Sequence, residues 1–191
     1  MKKKNFILST GLLLIFFISC TSSPIYFNKS VVDRENSRIA VLPFRDYNSK
    51  EGNNSGELVR SIFESKLLHK GFKAIEIEKV SSGVDYSVLS KQEFPSKWFV
   101  EKGEAMGADY VIYGYVHDYR VFQNMTSFLY IFEWLEITAS VGVTARMISC
   151  RTGEVVWSGS YTRSSYTFTD AANMVADILV RSIKYKSGKK D

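Results

Sequence analysis

Few side chains in this sequence could act as an acid, a base or a metal ligand and also lie in a sequence context that suggests a functional site. The chain has two histidines, His69 and His117, and neither has a histidine partner at the spacing of a metal site. Asp118 follows His117 and could orient it as a base, but adjacent residues of a strand point to opposite faces of a sheet. We therefore interpret both histidines as structural and expect no metal site.

A second candidate is a pair of carboxylates in the very apolar segment 122–136. On a helix, Glu133 and Glu136 would share one face, and two carboxylates in apolar surroundings can act as an acid and a base. The plainer interpretation is a solvent edge, or ion pairs with Arg120 or Arg146. The sequence has neither a P-loop nor a dinucleotide-binding glycine pattern. We expect no enzyme activity and no cofactor, with a hydrolase as the remaining enzymatic alternative.

The same segment carries four closely spaced aromatic residues, Phe128, Tyr130, Phe132 and Trp134. Three interpretations stay open. They could belong to the core of the domain. They could contact a partner protein, because aromatic residues anchor protein interfaces. They could also contact a lipid surface, where Trp and Tyr are enriched.

The first twenty residues indicate export. Lysines in residues 1–5 precede the nearly uninterrupted apolar run of residues 6–19, which as a helix would span about 21 Å. A membrane span needs about 20 apolar residues, so we interpret residues 1–19 as a signal peptide.

Cys20, followed by Thr-Ser-Ser-Pro, makes this segment similar to the signals of bacterial lipoproteins. The resemblance implies a thioether-linked diacylglycerol and an N-acyl chain, such as palmitate, on Cys20. Several acyl chains hold a protein on a membrane far more firmly than one. Thr21, in place of Asp, implies the outer membrane, with the domain in the periplasm. With Cys20 acylated, Cys150 has no disulfide partner and is expected to be a small buried apolar residue.

The composition is that of a globular chain. Its 191 residues are 45% apolar and 24% charged, which excludes a disordered or low-complexity protein. Removal of the three signal-peptide lysines lowers the formal net charge from +5 to +2. A nucleic-acid binder needs a concentrated basic face, so no nucleic-acid partner is expected.

Apolar periodicity predicts the order β-α-β-α-β-β-β-α. Residues 21–37 are polar and aperiodic and are interpreted as a tether. Residues 38–44 then form a strand buried on both faces, and a turn at Gly153 joins two later strands. The remaining predicted strands cover residues 72–78, 108–120, 137–150 and 154–168.

Capping signals predict three helices. Asn54 and Glu57 have the spacing of a capping box. Pro95 suits the first turn of the second helix, and Thr169 or Asp170 is expected to cap the last one. The predicted fold class is α/β (α+β), a mixed sheet with helices packed on it. The expected organisation is a signal peptide (1–19), a lipidated cysteine and tether (20–37), one domain (38–186) and a frayed tail (187–191).

Three stretches carry a family likeness: residues 39–44 (IAVLPF), 107–114 (GADYVIYG) and 151–157 (RTGEVVW). In this order they resemble a superfamily of bacterial envelope lipoproteins that includes CsgG, LpoB and the N-terminal domain of TolB. The likeness is greatest to the small uncharacterised lipoproteins of that group. Members share a sheet and differ in task, so the resemblance implies a fold more than an activity.

The expected function is that of a membrane-anchored lipoprotein, a non-catalytic adaptor or structural component of cell-envelope assembly. The alternative is an oligomeric component of a CsgG-like secretion or export complex. The expected partners are the lipid bilayer through acylated Cys20, an envelope protein and, in the alternative, further copies of the chain.

Overall fold

A computed structural model describes residues 24–46, 54–75, 93–128 and 132–186; along 124–128 and 132–136 it describes the path of the backbone. The predicted order of elements is confirmed between residues 38 and 182, with short strands added at both ends. The elements are β1 (Ile25–Asn28), β2 (Val32–Asp33), β3 (Arg38–Val41), α1 (Ser55–His69), β4 (Lys73–Ile75), α2 (Ser96–Ala105), β5 (Tyr110–Phe128), β6 (Phe132–Ser149), β7 (Val155–Ser165), α3 (Phe168–Ser182) and β8 (Tyr185–Lys186).

Six strands form one mixed sheet in the order β1-β7-β6-β5-β3-β4. β3 runs parallel to both β4 and β5, and the other neighbours are antiparallel. β2 and β8 form a separate short parallel pair. The predicted fold class, a mixed sheet with helices packed on it, is therefore confirmed. No helix in the described ranges is both long and apolar enough to cross a membrane.

Two strands, β1 and β2, occupy part of the segment 20–37 that was predicted to be a tether. β1 forms an edge of the sheet along β7, with Ile25 opposite Ser160. Asn28 Nδ2 donates a hydrogen bond to the carbonyl oxygen of Ser182 at 3.1 Å. These partners lie more than 100 residues away along the chain, so local periodicity could not reveal them.

Helix α1 begins differently from its prediction. Asn54 has φ 48° and its side chain makes no capping hydrogen bond, so the capping box of Asn54 and Glu57 is not formed. The carboxylate of Asp46 instead accepts hydrogen bonds from the Ser55 hydroxyl and, at 2.5 Å, from the Gly56 N–H. A residue outside the helix thus satisfies one of the free backbone donors of its first turn.

Helix α3 is capped two residues before the first predicted position. The predicted caps were Thr169 or Asp170, but Thr167 Oγ1 accepts from the Asp170 N–H at 3.0 Å. The same hydroxyl donates to Asp170 Oδ2 at 2.7 Å. The reciprocal pair fixes the start of the helix at Phe168.

The main core lies between the sheet and the helices α1 and α3. Its largest fully buried side chains include Trp157, Phe44, Phe63, Leu67 and Leu179. Trp157 Nε1 also donates to Ser182 Oγ at 2.9 Å, so its polar atom is satisfied. We call this side of the sheet the closed face.

Helix α2 covers part of the opposite side of the sheet, which we call the open face. A smaller cluster lies beneath it: Ala40, Leu42, Ala108, Val111, Tyr113, Ile148 and Cys150. Gly103 allows the close approach, since a Cβ there would collide with the side chains of Val111 and Cys150.

Strands β5 and β6 run far beyond their neighbours. The pairing of β7 with β6 ends where Ala139 lies opposite Ser165. Beyond that row, residues 122–128 and 132–138 pair with each other, and no other strand in the described ranges joins them. We call this two-stranded ribbon the arm.

Candidate functional site

Three of the four aromatic residues singled out in the sequence lie along the arm. Phe128 stands opposite Phe132 at its outer end, and Trp134 stands opposite Thr126. Tyr130, like Cys20, lies outside the described residues. The proposed contacts of these aromatics, and the lipid on Cys20, therefore stay predictions.

The carboxylate pair is not on a helix. Glu133 and Glu136 both belong to β6, where they lie opposite Ser127 and Asn124. The helical interpretation of this pair is wrong, because the ladder between β5 and β6 continues through the segment. The shared helical face that would have brought the two carboxylates together is not formed.

A β-bulge at His117 changes the argument made for that residue. Val116 lies opposite Val143 and Asp118 lies opposite Gly142, so His117 is one extra residue in β5. The expectation that adjacent side chains point to opposite faces does not hold across a bulge.

Both side chains at the bulge contact residues of the open face. The two ring nitrogens of His117, Nε2 and Nδ1, lie 3.1 Å from Thr162 Oγ1 and 3.3 Å from Thr144 Oγ1. Ser140 Oγ donates to Asp118 Oδ2 at 2.7 Å. Ser140 and Thr144 are four residues apart in β6 and therefore share a face. The bulge thus brings His117 and Asp118 to the same side of the sheet.

The two side chains nevertheless do not act as a pair. Asp118 Oδ1 lies 2.7 Å from Arg120 Nε, and no hydrogen bond in the described ranges joins His117 to Asp118. Burial lowers the pKa of His117, and the nearby charge of Asp118 opposes this shift. The ring lies over Gly142, where an added Cβ would be 2.6 Å from Nε2. The arrangement suits a neutral, packed histidine rather than a base aimed at a substrate.

A row of hydroxyl groups extends this cluster across the open face. Thr144 Oγ1 lies 2.9 Å from Ser160 Oγ, and Thr162 is two residues further along β7. Sequence analysis did not single out this row. The sequence of β7 carried a signal for this row, because a hydroxyl residue stands at every second position: Ser158, Ser160, Thr162 and Ser164.

A cleft of about 450 Å³ lies beside the hydroxyl row, between α2 and the open face. Phe99 of α2 stacks on Tyr113 with ring centroids 3.9 Å apart. Arg45 Nη1 lies 2.6 Å from Glu93 Oε1, and its guanidinium stands 5.7 Å from the centroid of the Tyr115 ring. The cleft offers aromatic and charged contacts, and its lining holds neither Cys nor His.

Cys150 is buried under α2, as predicted for a small apolar residue. Burial raises the pKa of its thiol to about 11, with smaller contributions from Glu104 and Asp109. A thiol that stays protonated is a poor nucleophile, so Cys150 belongs to the core.

His69 lies exposed at the end of α1. Within the part of the chain that the structure describes, no three His, Cys, Asp or Glu side chains come together as metal ligands.

No protein-family model matches the chain, and no curated protein matches its sequence. Solved structures do match. The PelC dodecamer from Paraburkholderia phytofirmans aligns with a TM-score of 0.59 and 18% identity, covering 86% of this chain and 99% of PelC. Lipoprotein GNA1162 from Neisseria meningitidis aligns with a TM-score of 0.49 and 17% identity, covering 77% and 97%. The LpoB C-terminal domain from Salmonella enterica gives 0.42 and 18%, covering 71% and 87%.

The alignment with PelC covers most of this chain and nearly all of the PelC chain. The chain therefore has the fold of PelC.

Proposed function

We propose that this protein is a non-catalytic structural component of bacterial cell-envelope assembly, anchored to the outer membrane by lipid on Cys20, with its domain in the periplasm. The observation that carries the proposal is the arm. Residues 122–128 of β5 and 132–138 of β6 pair with each other beyond the point at which β7 ends. The arm pairs with none of the other strands in the described ranges, which suits it to contact another molecule.

The polar cluster supports a non-catalytic role. His117 is held by two threonine hydroxyls, and Asp118 is held by Ser140 and Arg120. A general base must reach the proton that it removes, and both nitrogens of His117 are already within hydrogen-bonding distance of the protein.

The contact surface that we propose is the outer part of the arm, with Phe128, Phe132 and Trp134, together with Tyr130, which lies outside the described residues. Large aromatic side chains anchor many interfaces. Lipid on Cys20 would confine the domain to one surface and raise its effective concentration for a partner held there. A domain that is confined to the membrane surface and has such a contact surface can act as an adaptor without catalysing a reaction.

A second candidate is an oligomeric component of a secretion or export complex. PelC, whose fold this chain shares, forms a dodecamer. In this chain the sheet has two edges, β1 and β4, and an exposed edge strand can pair with a neighbouring copy. Contacts that repeat from copy to copy in a head-to-tail manner close into a ring when the rotation between copies closes.

The mass of full-length, acylated protein extracted in mild detergent tests both candidates. Cys20→Ala is the control for the anchor, and Thr126→Pro breaks the ladder of the arm, since proline removes a backbone donor. Mass spectrometry of the purified chain reports acylation of Cys20.

An adaptor is expected as a monomer that co-purifies with an envelope protein and loses it on Thr126→Pro. An oligomeric component is expected as a closed multiple of the chain mass. A lone monomer that Thr126→Pro leaves unchanged in mass and in cellular function would contradict both candidates.

A further inference from the structure

The cleft between α2 and the open face has the size and the chemistry of a ligand site. Its volume of about 450 Å³ lies within the range of sites that hold small molecules. Aromatic side chains of α2 and β5 line it, together with Arg45, Arg146 and Glu93. None of these residues belongs to the arm, so the cleft is a separate surface of the domain.

Arg45 is held at the edge of the cleft by its backbone. Its N–H donates to the carbonyl oxygen of Gly114 at 2.9 Å, and its own carbonyl oxygen accepts from the Val116 N–H at 2.9 Å. Its side chain is 35% exposed, and the guanidinium stands over the Tyr115 ring. These contacts fix the base of a side chain that can bind a carboxylate through two N–H groups at once.

Glu93 shows that a carboxylate fits against Arg45. Glu93 Oε1 accepts a hydrogen bond from Arg45 Nη1 at 2.6 Å. Within the described ranges this is the one hydrogen bond of a guanidinium that has five N–H donors. The Glu93 side chain is 80% exposed, and an ion pair this exposed adds little to stability. A carboxylate from another molecule can therefore replace Glu93 with little loss of stability.

Arg146 adds a second cation to the cleft. It lies opposite Tyr113 of β5 and opposite Ser158 of β7, and the next row on the same face pairs Tyr115 with Thr144. In the part of the chain that the structure describes, no carboxylate pairs with the Arg146 guanidinium. The described lining therefore carries two positive charges and one negative charge, an excess that favours an anionic ligand.

Flat aromatic surfaces form much of the remaining wall. Phe99 stacks on Tyr113 with ring centroids 3.9 Å apart, and Phe94 stacks on Trp98 at 4.4 Å. These pairs hold the rings that α2 contributes in place, while Tyr115 stays 38% exposed. Aromatic rings offer a large apolar area and stack well on flat partners. The cleft therefore suits an anionic group that is attached to a flat apolar body.

We propose that this cleft binds a ligand that carries a carboxylate on a flat apolar body. The carboxylate takes the place of Glu93 on Arg45. The apolar body lies against Tyr115 and Phe99, and Arg146 contributes the second positive charge. Glu93 is then an internal competitor that the ligand displaces. The site adds a binding activity to the proposed function and depends neither on the lipid anchor nor on the arm.

Two sources supply ligands of this chemistry: free aromatic acids, and peptides with neighbouring acidic and aromatic side chains. The probe for the first source is naphthoate, and the probe for the second is a blocked aspartyl-phenylalanine dipeptide. Naphthamide, which has the same rings without the charge, is the matched control ligand. Saturation-transfer NMR with the full-length protein in mild detergent measures each dissociation constant, and detergent without protein is the blank.

Two substitutions test the exchange of carboxylates. Arg45→Gln removes the proposed contact and is expected to weaken naphthoate binding by about tenfold or more. Glu93→Gln removes the competitor and is expected to tighten binding severalfold. Arg151→Gln and Glu101→Gln make the same changes of charge at exposed positions outside the cleft lining, so they are matched controls and should leave binding unchanged.

Saturable binding of either probe with these responses supports the site, and the probe that binds more tightly identifies the source. Equal binding to the wild-type and Arg45→Gln proteins would overturn the proposal, as would binding that Glu93→Gln leaves unchanged or weakens. Naphthamide that binds as tightly as naphthoate, or no saturable binding of either probe, would also overturn it. Circular dichroism checks that each variant is folded. Because the Glu93 side chain is exposed, Glu93→Gln keeps the test decisive if Arg45→Gln fails to fold.

Discussion

The closed and open faces of the central sheet are made by alternate residues of the same strands, yet one is an apolar core and the other is largely polar. On the closed face, α1 and α3 exclude water from a core with Trp157, Phe44 and Phe63. On the open face, α2 covers only the start of β5 and the end of β6, and the rest carries histidine and hydroxyl groups. The larger buried core therefore lies on one face, and the other face carries the smaller one.

The largest effect is expected from Trp157→Ala on the closed face. Removing a buried Trp typically costs about 3–5 kcal/mol of unfolding free energy, and here it also removes the hydrogen bond to Ser182. Urea unfolding followed by circular dichroism measures the loss. Trp98→Ala removes the same atoms from α2, where Trp98 is only partly buried, and should cost clearly less. Equal losses would contradict the difference between the faces.

Gly103→Ala tests the one part of the open face that is tightly covered. The added methyl collides with Val111 and Cys150, and such overpacking costs about 1–3 kcal/mol. That exceeds the roughly 1 kcal/mol by which Ala favours a helix over Gly. Thermal or urea unfolding shows whether Gly103→Ala raises or lowers the unfolding free energy. Glu101→Ala on the exposed side of α2 is the control, and a stabilised Gly103→Ala protein would show that α2 is not seated this closely.

His117 on the open face is expected to make stability depend on pH. Burial lowers its pKa from the usual 6.5 in the folded state, so the unfolded chain takes up the proton first as the pH falls. The stabilisation is present above about pH 6.5 and is lost as the pH falls towards the lowered folded value. His117→Gln removes this contribution, so the wild-type protein should lose stability relative to the variant between about pH 7 and 5.

The control for the substitution of a histidine by glutamine is His69→Gln, because His69 is exposed. A His117→Gln protein whose unfolding free energy runs parallel to that of the wild-type protein across this pH range would show that His117 is not shielded by its threonine partners.

The smallest effect is expected from Ser158→Ala in β7. Ser158 lies opposite Arg146 on the open face and is only partly buried, so its truncation should change the unfolding free energy by no more than about 0.5 kcal/mol. Its neighbour Gly159 faces the closed side, where a Cβ would lie 2.8 Å from Leu179 Cδ2. Gly159→Ala should therefore be clearly destabilising. Similar values for these adjacent positions would remove the distinction between the faces.

Local pattern predicted most of the fold, and most of the exceptions depend on partners outside the element concerned. The strand at residues 38–41, the helix after Pro95 and the turn at Gly153 follow from apolar runs and from residue types with strong backbone preferences. The cap of α1 does not, because Asp46 reaches it from a neighbouring loop while Asn54 adopts a left-handed conformation.

The candidate site shows the same limit. A strand pattern gives the face of each residue only while the register is unbroken, and the bulge at His117 breaks it. The arm was uncertain for a related reason: segment 122–136 has no clean alternation of its own. Its pairing continues the register between β5 and β6, which begins where Tyr110 lies opposite Ser149.

The position of β1 also determines how the domain carries a mechanical load. A pull on the N-terminus enters the fold through Ile25 and passes to β7, on which α3 is packed. Because β1 lies antiparallel to β7 and its first residue points towards the arm, a pull along the strand towards the arm loads all the bonds of this pair together. A sideways pull would open them one at a time. The parallel pair of β2 with β8, which joins Val32 to Tyr185, resists the pull after the pairing of β1 with β7. The C-terminal strand β8 therefore bears part of a force applied to the N-terminal segment.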